Sequence, residues 1–224
     1  MPVLLALEKL SNKEDNDIKI DDNLLNTANQ LISDQQQRYG RVLQSELIPL
    51  LKENKVNLIY GEPFPAEIQK SITRYFLSQV MAFLQPVYLN ADSDFFPSNN
   101  ELYFLITLKN ERKRRRVLIL NIPSSQLPRF YKVESGDETF VVFLDDIVRF
   151  HLDRIFPQAE VTGCYSFKIT RDAELDLKDE YAGNLSEQLE KQLLKRDLGL
   201  ATRFLHQPGI PASVFELLKK IVQP

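Results

Sequence analysis

The chain has 224 residues, 43% hydrophobic and 26% charged, with a formal net charge of −3. That composition supports a packed core and excludes a global polycation, so attraction for any polyanion must come from local patches. One cysteine, Cys164, and two histidines, His151 and His206, exclude a disulfide framework and Cys₄ or Cys₂His₂ zinc sites, and they fit a reducing compartment.

Residues 1–10 read as the end of an apolar helix. They meet an acid at Glu8 and lack a basic flank, so they form neither a signal peptide nor a membrane span. A soluble, cytoplasmic protein is expected. An acidic linker, 11–22, precedes a long amphipathic pattern over 23–54 built on Leu24, Ala28, Leu31, Tyr39, Leu43, Leu47 and Leu50. Asp22 or Asn23 is placed to cap this helix, and Pro49 to kink it or end its regular hydrogen bonding early.

A short strand over 56–60 enters the turn Gly61-Glu62-Pro63-Phe64-Pro65, and a second helix spans 66–84. Residues 85–100 read as a loop. Strands are expected at 102–108, 116–122, 130–133, 139–143 and 162–170, with a hairpin signal at Glu134-Ser135-Gly136-Asp137. Helices are expected at 145–156 and 174–198. A strand at 202–206 and a helix over 212–222, starting near Pro211, complete the pattern. Helices followed by a mixed run predict an α+β fold: a helical part, residues 1–54, before a mixed domain, 55–224, with a mainly antiparallel sheet.

The seven glycines are too dispersed for either phosphate-cradling motif, G-x-x-x-x-G-K-[ST] or G-x-G-x-x-G. His151 falls on the apolar side of a helix and reads as a half-buried structural imidazole, and Cys164 as a small core residue. The acidic loop 90–94 with Glu101 mimics calcium-loop spacing but has Phe95 where glycine is needed, so it reads as a solvated loop. Asp172, Glu174 and Asp176 are either helix-capping acids or a metal or acid–base cluster; capping is the simpler reading. The sharpest charge feature is Arg112-Lys113-Arg114-Arg115-Arg116 between two strands, either a solvated hairpin turn or an electropositive finger for a polyanion. No aromatic platform accompanies it, so nucleic acid is not the expected ligand.

Four segments occur in order: Ile122-Pro123 through Pro128-Arg129-Phe130, Phe143-Leu144-Asp145-Asp146-Ile147-Val148-Arg149, Leu152 to Pro157, and Phe167-Lys168-Ile169-Thr170-Arg171-Asp172-Ala173-Glu174. This succession resembles the head, or middle, domain of bacterial polyphosphate kinases of the phosphohistidine type. Tyr39 to Leu43 and Phe83 to Val87 fit the same register. The resemblance implies a full-length enzyme that reversibly transfers the ATP γ-phosphate to polyphosphate, with magnesium and ATP as its cofactor and substrate. It also implies homo-oligomers and catalytic histidine domains lying outside this sequence as partners. No residue here inherits a catalytic role from it, and no cofactor is expected within this chain. The isolated chain is expected to be inactive, and a stand-alone polyanion-binding or oligomerisation module is the alternative.

Overall fold

The computed structural model describes residues 22–90, 95–110, 115–171 and 201–222. The chain divides into two compact units, residues 1–77 with 128–147 and residues 78–127 with 148–224. The expected helices at the start of the chain and over 174–198 lie outside the described residues, as do Asp172, Glu174 and Asp176. The fold is α+β with a mainly antiparallel larger sheet, as the element pattern predicts.

In the first unit, α1 (Asp22–Val42) runs through a π-helical turn (Leu43–Leu47) into α2 (Ile48–Glu53). The wide turn sits where Pro49 withholds an N–H and crowds the carbonyl four residues back. The Ile48 N–H reaches Leu43 O instead. The helix therefore loses regularity at Pro49 without ending. The helix is described from Asp22 onward, at the edge of the described residues, and Asp22 and Asn23 both lie within it. Leu24, Leu31, Tyr39, Val42, Leu47 and Leu50 along this helix are exposed.

Strand β1 (Val56–Ile59) pairs in parallel with β6 (Glu138–Phe143), which pairs antiparallel with β5 (Phe130–Ser135). Gly136 has φ +59° and forms a two-residue hairpin loop with Asp137, the position where a type II′ turn requires glycine. Helix α3 (Ala66–Tyr75) buries Ile68, Ile72 and Tyr75, and the Tyr75 ring stacks on Tyr131 of β5 at 4.0 Å between centroids.

The second unit is built on a five-stranded sheet in the order β2 (Pro86–Leu89), β4 (Arg115–Asn121), β3 (Leu102–Asn110), β7 (Ala159–Arg171), β8 (Ala201–His206). Strand β2 falls inside the stretch expected to be a loop. Pro86 starts it at a sheet edge, where a missing N–H costs least, and that position conceals it from a sequence pattern. Phe104, Leu105, Ile106, Leu118, Ile119 and Leu120 are at most 1% exposed. Neighbouring strand residues point to opposite faces, so both faces of the sheet must be covered.

On one face Tyr103, Leu105, Ile119, Phe167 and Ile169 pack with Val214 and Leu218 of α6 (Ala212–Val222). On the other, Leu108 meets Ile155 and Phe156, and the Arg149 guanidinium lies 4.5 Å over the Phe104 ring. The single helix expected over 145–156 is two, α4 (Leu144–Phe150) and α5 (Leu152–Ile155), broken at His151, whose φ is −109° and ψ 20°.

Two local devices set the shape of β7. A β-bulge between Thr107 and Leu108 leaves Thr162 as the extra residue, and its hydroxyl donates to Thr107 O at 3.1 Å. At Gly163 a Cβ would come within 2.8 Å of both Thr107 Oγ1 and the Tyr165 ring. At the far end of the strand, Arg171 is 3% exposed and stacks 3.6 Å over the Phe96 ring. Its Nε and Nη2 donate to Pro97 O at 3.3 Å, and its backbone N–H donates to Asn99 Oδ1. Burial pulls the Arg171 pKa down, against the pull of the nearby Tyr103. The guanidinium thus clasps the segment 95–100 to the sheet.

Gly163→Ala should destabilise the protein by about 1–3 kcal/mol in urea unfolding, because the Cβ must displace hydrogen-bonded Thr107. Adding Thr107→Ala should recover part of that loss, and a strictly additive double variant would refute the clash. Arg171→Lys, which keeps the charge but loses the planar fork and the stack, should cost about 1.5–3 kcal/mol. Unchanged stability in the Arg171→Lys variant would show that the clasp is only a charge effect.

Candidate functional site

The basic run is divided by the fold. Arg112, Lys113 and Arg114 lie outside the described residues, while Arg115 and Arg116 are the first two residues of β4. The expected finger between strands is therefore partly strand, and the two described arginines project to opposite faces of the sheet.

Arg115 sits opposite Lys109 of β3, which in turn faces Glu160 of β7 with an ion-pair distance of 3.8 Å. Arg116 sits opposite Leu108, and its guanidinium lies 5.5 Å from the centroid of Tyr88 on edge strand β2. Beside that pair is a cleft of about 390 Å³, lined by Tyr88, Leu108, Arg116 and the segment 155–159 where α5 turns into β7. Among the described residues that line it, Arg116 carries the one formal charge. An exposed guanidinium beside an aromatic ring and an open cleft is suited to an anion, since its N–H groups can fork onto phosphate oxygens.

The two histidines sit in different surroundings. His151 is 1% exposed, more deeply buried than its sequence position suggests, with its ring edge-on to Phe150 at 5.0 Å. His206 is exposed on β8, 5.2 Å from the Phe204 ring and 5.3 Å from the Phe215 ring, with Nδ1 3.0 Å from Gln207 O. Cys164 is half-buried in β7 and not deep in the core. Its carbonyl accepts from Arg149 Nη1 at 2.8 Å.

Of the calcium-like loop, 91–94 lie outside the described residues. Among the described residues no group of three or more His, Cys, Asp or Glu comes together to hold a metal ion. No helix among the described residues is long and apolar enough to cross a membrane.

Several charged residues with specific roles were quoted in the sequence motifs without a role attached. Arg129 Nη2 lies 3.1 Å from Asp145 Oδ1, an ion pair whose angle falls short of a hydrogen bond. Asp146 Oδ2 accepts from the Gly61 N–H at 2.8 Å. Arg149 also donates to Ser166 Oγ at 3.0 Å. Asp145 and Asp146 are both buried, in the first turn of α4, where the helix dipole favours acids. These roles need partners distant in sequence, which is why spacing alone did not reveal them.

Residues 67–223 match the protein family described as the polyphosphate kinase middle domain. A polyphosphate kinase of Vibrio parahaemolyticus is 30% identical over 185 residues, covering 79% of this chain and 26% of that protein. The polyphosphate kinase of Pseudomonas aeruginosa is 28% identical over 197 residues, covering 85% of this chain and 29% of that protein. That of Escherichia coli is 28% identical over 185 residues, covering 80% and 27%. The chain thus spans about a quarter of the length of these curated relatives. In fold it is similar to the crystal structure of polyphosphate kinase from Porphyromonas gingivalis, with a TM-score of 0.71 at 23% identity over 96% of this chain and 30% of that one. The family match covers well over half of the chain, and the protein belongs to the polyphosphate kinase family through its middle domain.

Proposed function

We propose that this chain is the middle-domain part of an enzyme that reversibly transfers the γ-phosphate of ATP to inorganic polyphosphate, and that its own share is to hold the phosphate chain. The observation that carries this reading is the family match over residues 67–223. The basic run at 112–116 supplies the chemistry: a linear polyanion is held by Coulomb attraction and charge-assisted hydrogen bonds, without a glycine-rich cradle. Phosphoryl transfer through histidine needs an imidazole nitrogen open to in-line approach. Burial argues that His151 does not carry the phosphoryl group, and the exposed His206 lies in none of the motifs that carry the family resemblance. In this reading the reactive histidine, ATP and magnesium are handled by other domains of the enzyme.

A second reading makes the chain a polyanion-binding or oligomerisation module in its own right. The exposed apolar residues along α1, the π-helical turn and α2 favour it, since Leu24, Leu31, Tyr39, Leu47 and Leu50 would gain from a covering partner.

The purified chain should make no polyphosphate from ATP and magnesium. It should bind long-chain polyphosphate at low salt, with affinity falling at least about tenfold between 50 and 200 mM salt. Synthesis that disappears in a His206→Ala variant would overturn the assignment of the histidine elsewhere. Absence of binding at low ionic strength would remove the phosphate-holding role.

A further inference from the structure

Strand geometry separates the two described arginines of the basic run, and their surroundings differ in charge. The face carrying Arg115 also carries Lys109 and Glu160, and the Glu160 carboxylate lies 3.8 Å from Lys109 Nζ. A phosphate approaching there meets an acid, and one of the cations is already partnered. The face carrying Arg116 opens on the cleft of about 390 Å³, whose lining includes no acid among the described residues.

Tyr88 and Arg116 come from neighbouring strands of one register: Tyr88 is opposite Leu118, two residues from Arg116 and on the same face. The ring therefore holds the guanidinium from one side and limits its rotamers, so less freedom is lost when an anion binds. Gln158 is a further polar residue of the lining.

We propose that the cleft formed by Tyr88, Arg116 and the 155–159 segment is a subsite for one or two phosphate groups of a linear phosphate chain, with Arg116 as its anchoring cation. This inference rests on the phosphate-holding reading above and narrows it from five cations to one. Arg115 contributes to the general field but does not contact the bound segment. The cleft takes a phosphate group because the one charge among its described lining residues is an exposed guanidinium; a carboxylate-bearing rim would reject the same ligand.

The test uses the full chain and two probes at low salt, tripolyphosphate and long-chain polyphosphate, with binding followed by calorimetry. Arg116→Ala should weaken both probes by about tenfold or more, the loss of a charge-assisted hydrogen-bond pair. Arg115→Ala should change affinity by less than about threefold, the scale of an exposed charge. Tyr88→Ala, which leaves the charge but frees the guanidinium, should weaken binding by an intermediate factor. Unchanged thermal unfolding in each variant ensures that losses come from the site. Equal losses in Arg115→Ala and Arg116→Ala, with wild-type binding intact, would overturn the subsite while leaving the phosphate-holding reading in place. No wild-type binding of either probe would instead overturn that reading and the subsite with it.

Discussion

Burial on both faces of the β3–β4 hairpin governs the second unit. Six residues in two adjacent strands, Phe104 to Ile106 and Leu118 to Leu120, have essentially no solvent exposure. A sheet that is apolar on both sides cannot leave either side to water, so the chain must provide two covers. Helix α6 provides one, through Val214 and Leu218. The residues from Val148 to Phe156 belong to the other, with Arg149 lying over Phe104 and Ile155 and Phe156 beside Leu108. The same alternation continues past the core to the end of β4, where it hands one arginine to each face. The candidate anion site is thus a consequence of core packing carried to the rim of the sheet.

The motifs that identify the family are mostly architectural. Buried charged groups are costly unless paired or hydrogen-bonded. Arg129 meets Asp145, Asp146 accepts from the Gly61 backbone, Arg149 holds the β7 carbonyl at Cys164, and Arg171 clasps the segment 95–100. Each links segments separated in sequence, so the described charged residues of these motifs hold the fold together.

Where sequence reading and structure diverge, the cause lies in context. Strand β2 was hidden because Pro86 and the polar residues after Leu89 read as loop, and only pairing with β4 makes Pro86–Leu89 a strand. The helix expected over 145–156 breaks at His151, where the backbone leaves helical values and the ring is buried against Phe150. Periodicity persists across that break, so it could not be seen in the spacing of Ile147, Val148, Leu152 and Ile155. Pro49, by contrast, acts locally, and its effect on the long first helix was readable from covalent geometry alone.

The sequence by itself determined the fold class, most strand and helix positions, the absence of a glycine-rich phosphate cradle, and the family resemblance. Those properties follow from local periodicity, turn chemistry and ordered motifs, which need no knowledge of distant contacts. Tertiary structure alone decided that Arg115 and Arg116 part company, that Tyr88 lies beside Arg116, and that His151 is buried. A charge run is one-dimensional and reads as a single finger. Strand pairing turns it into two faces with different neighbours, one shared with Glu160 and one opening on a cleft beside Tyr88.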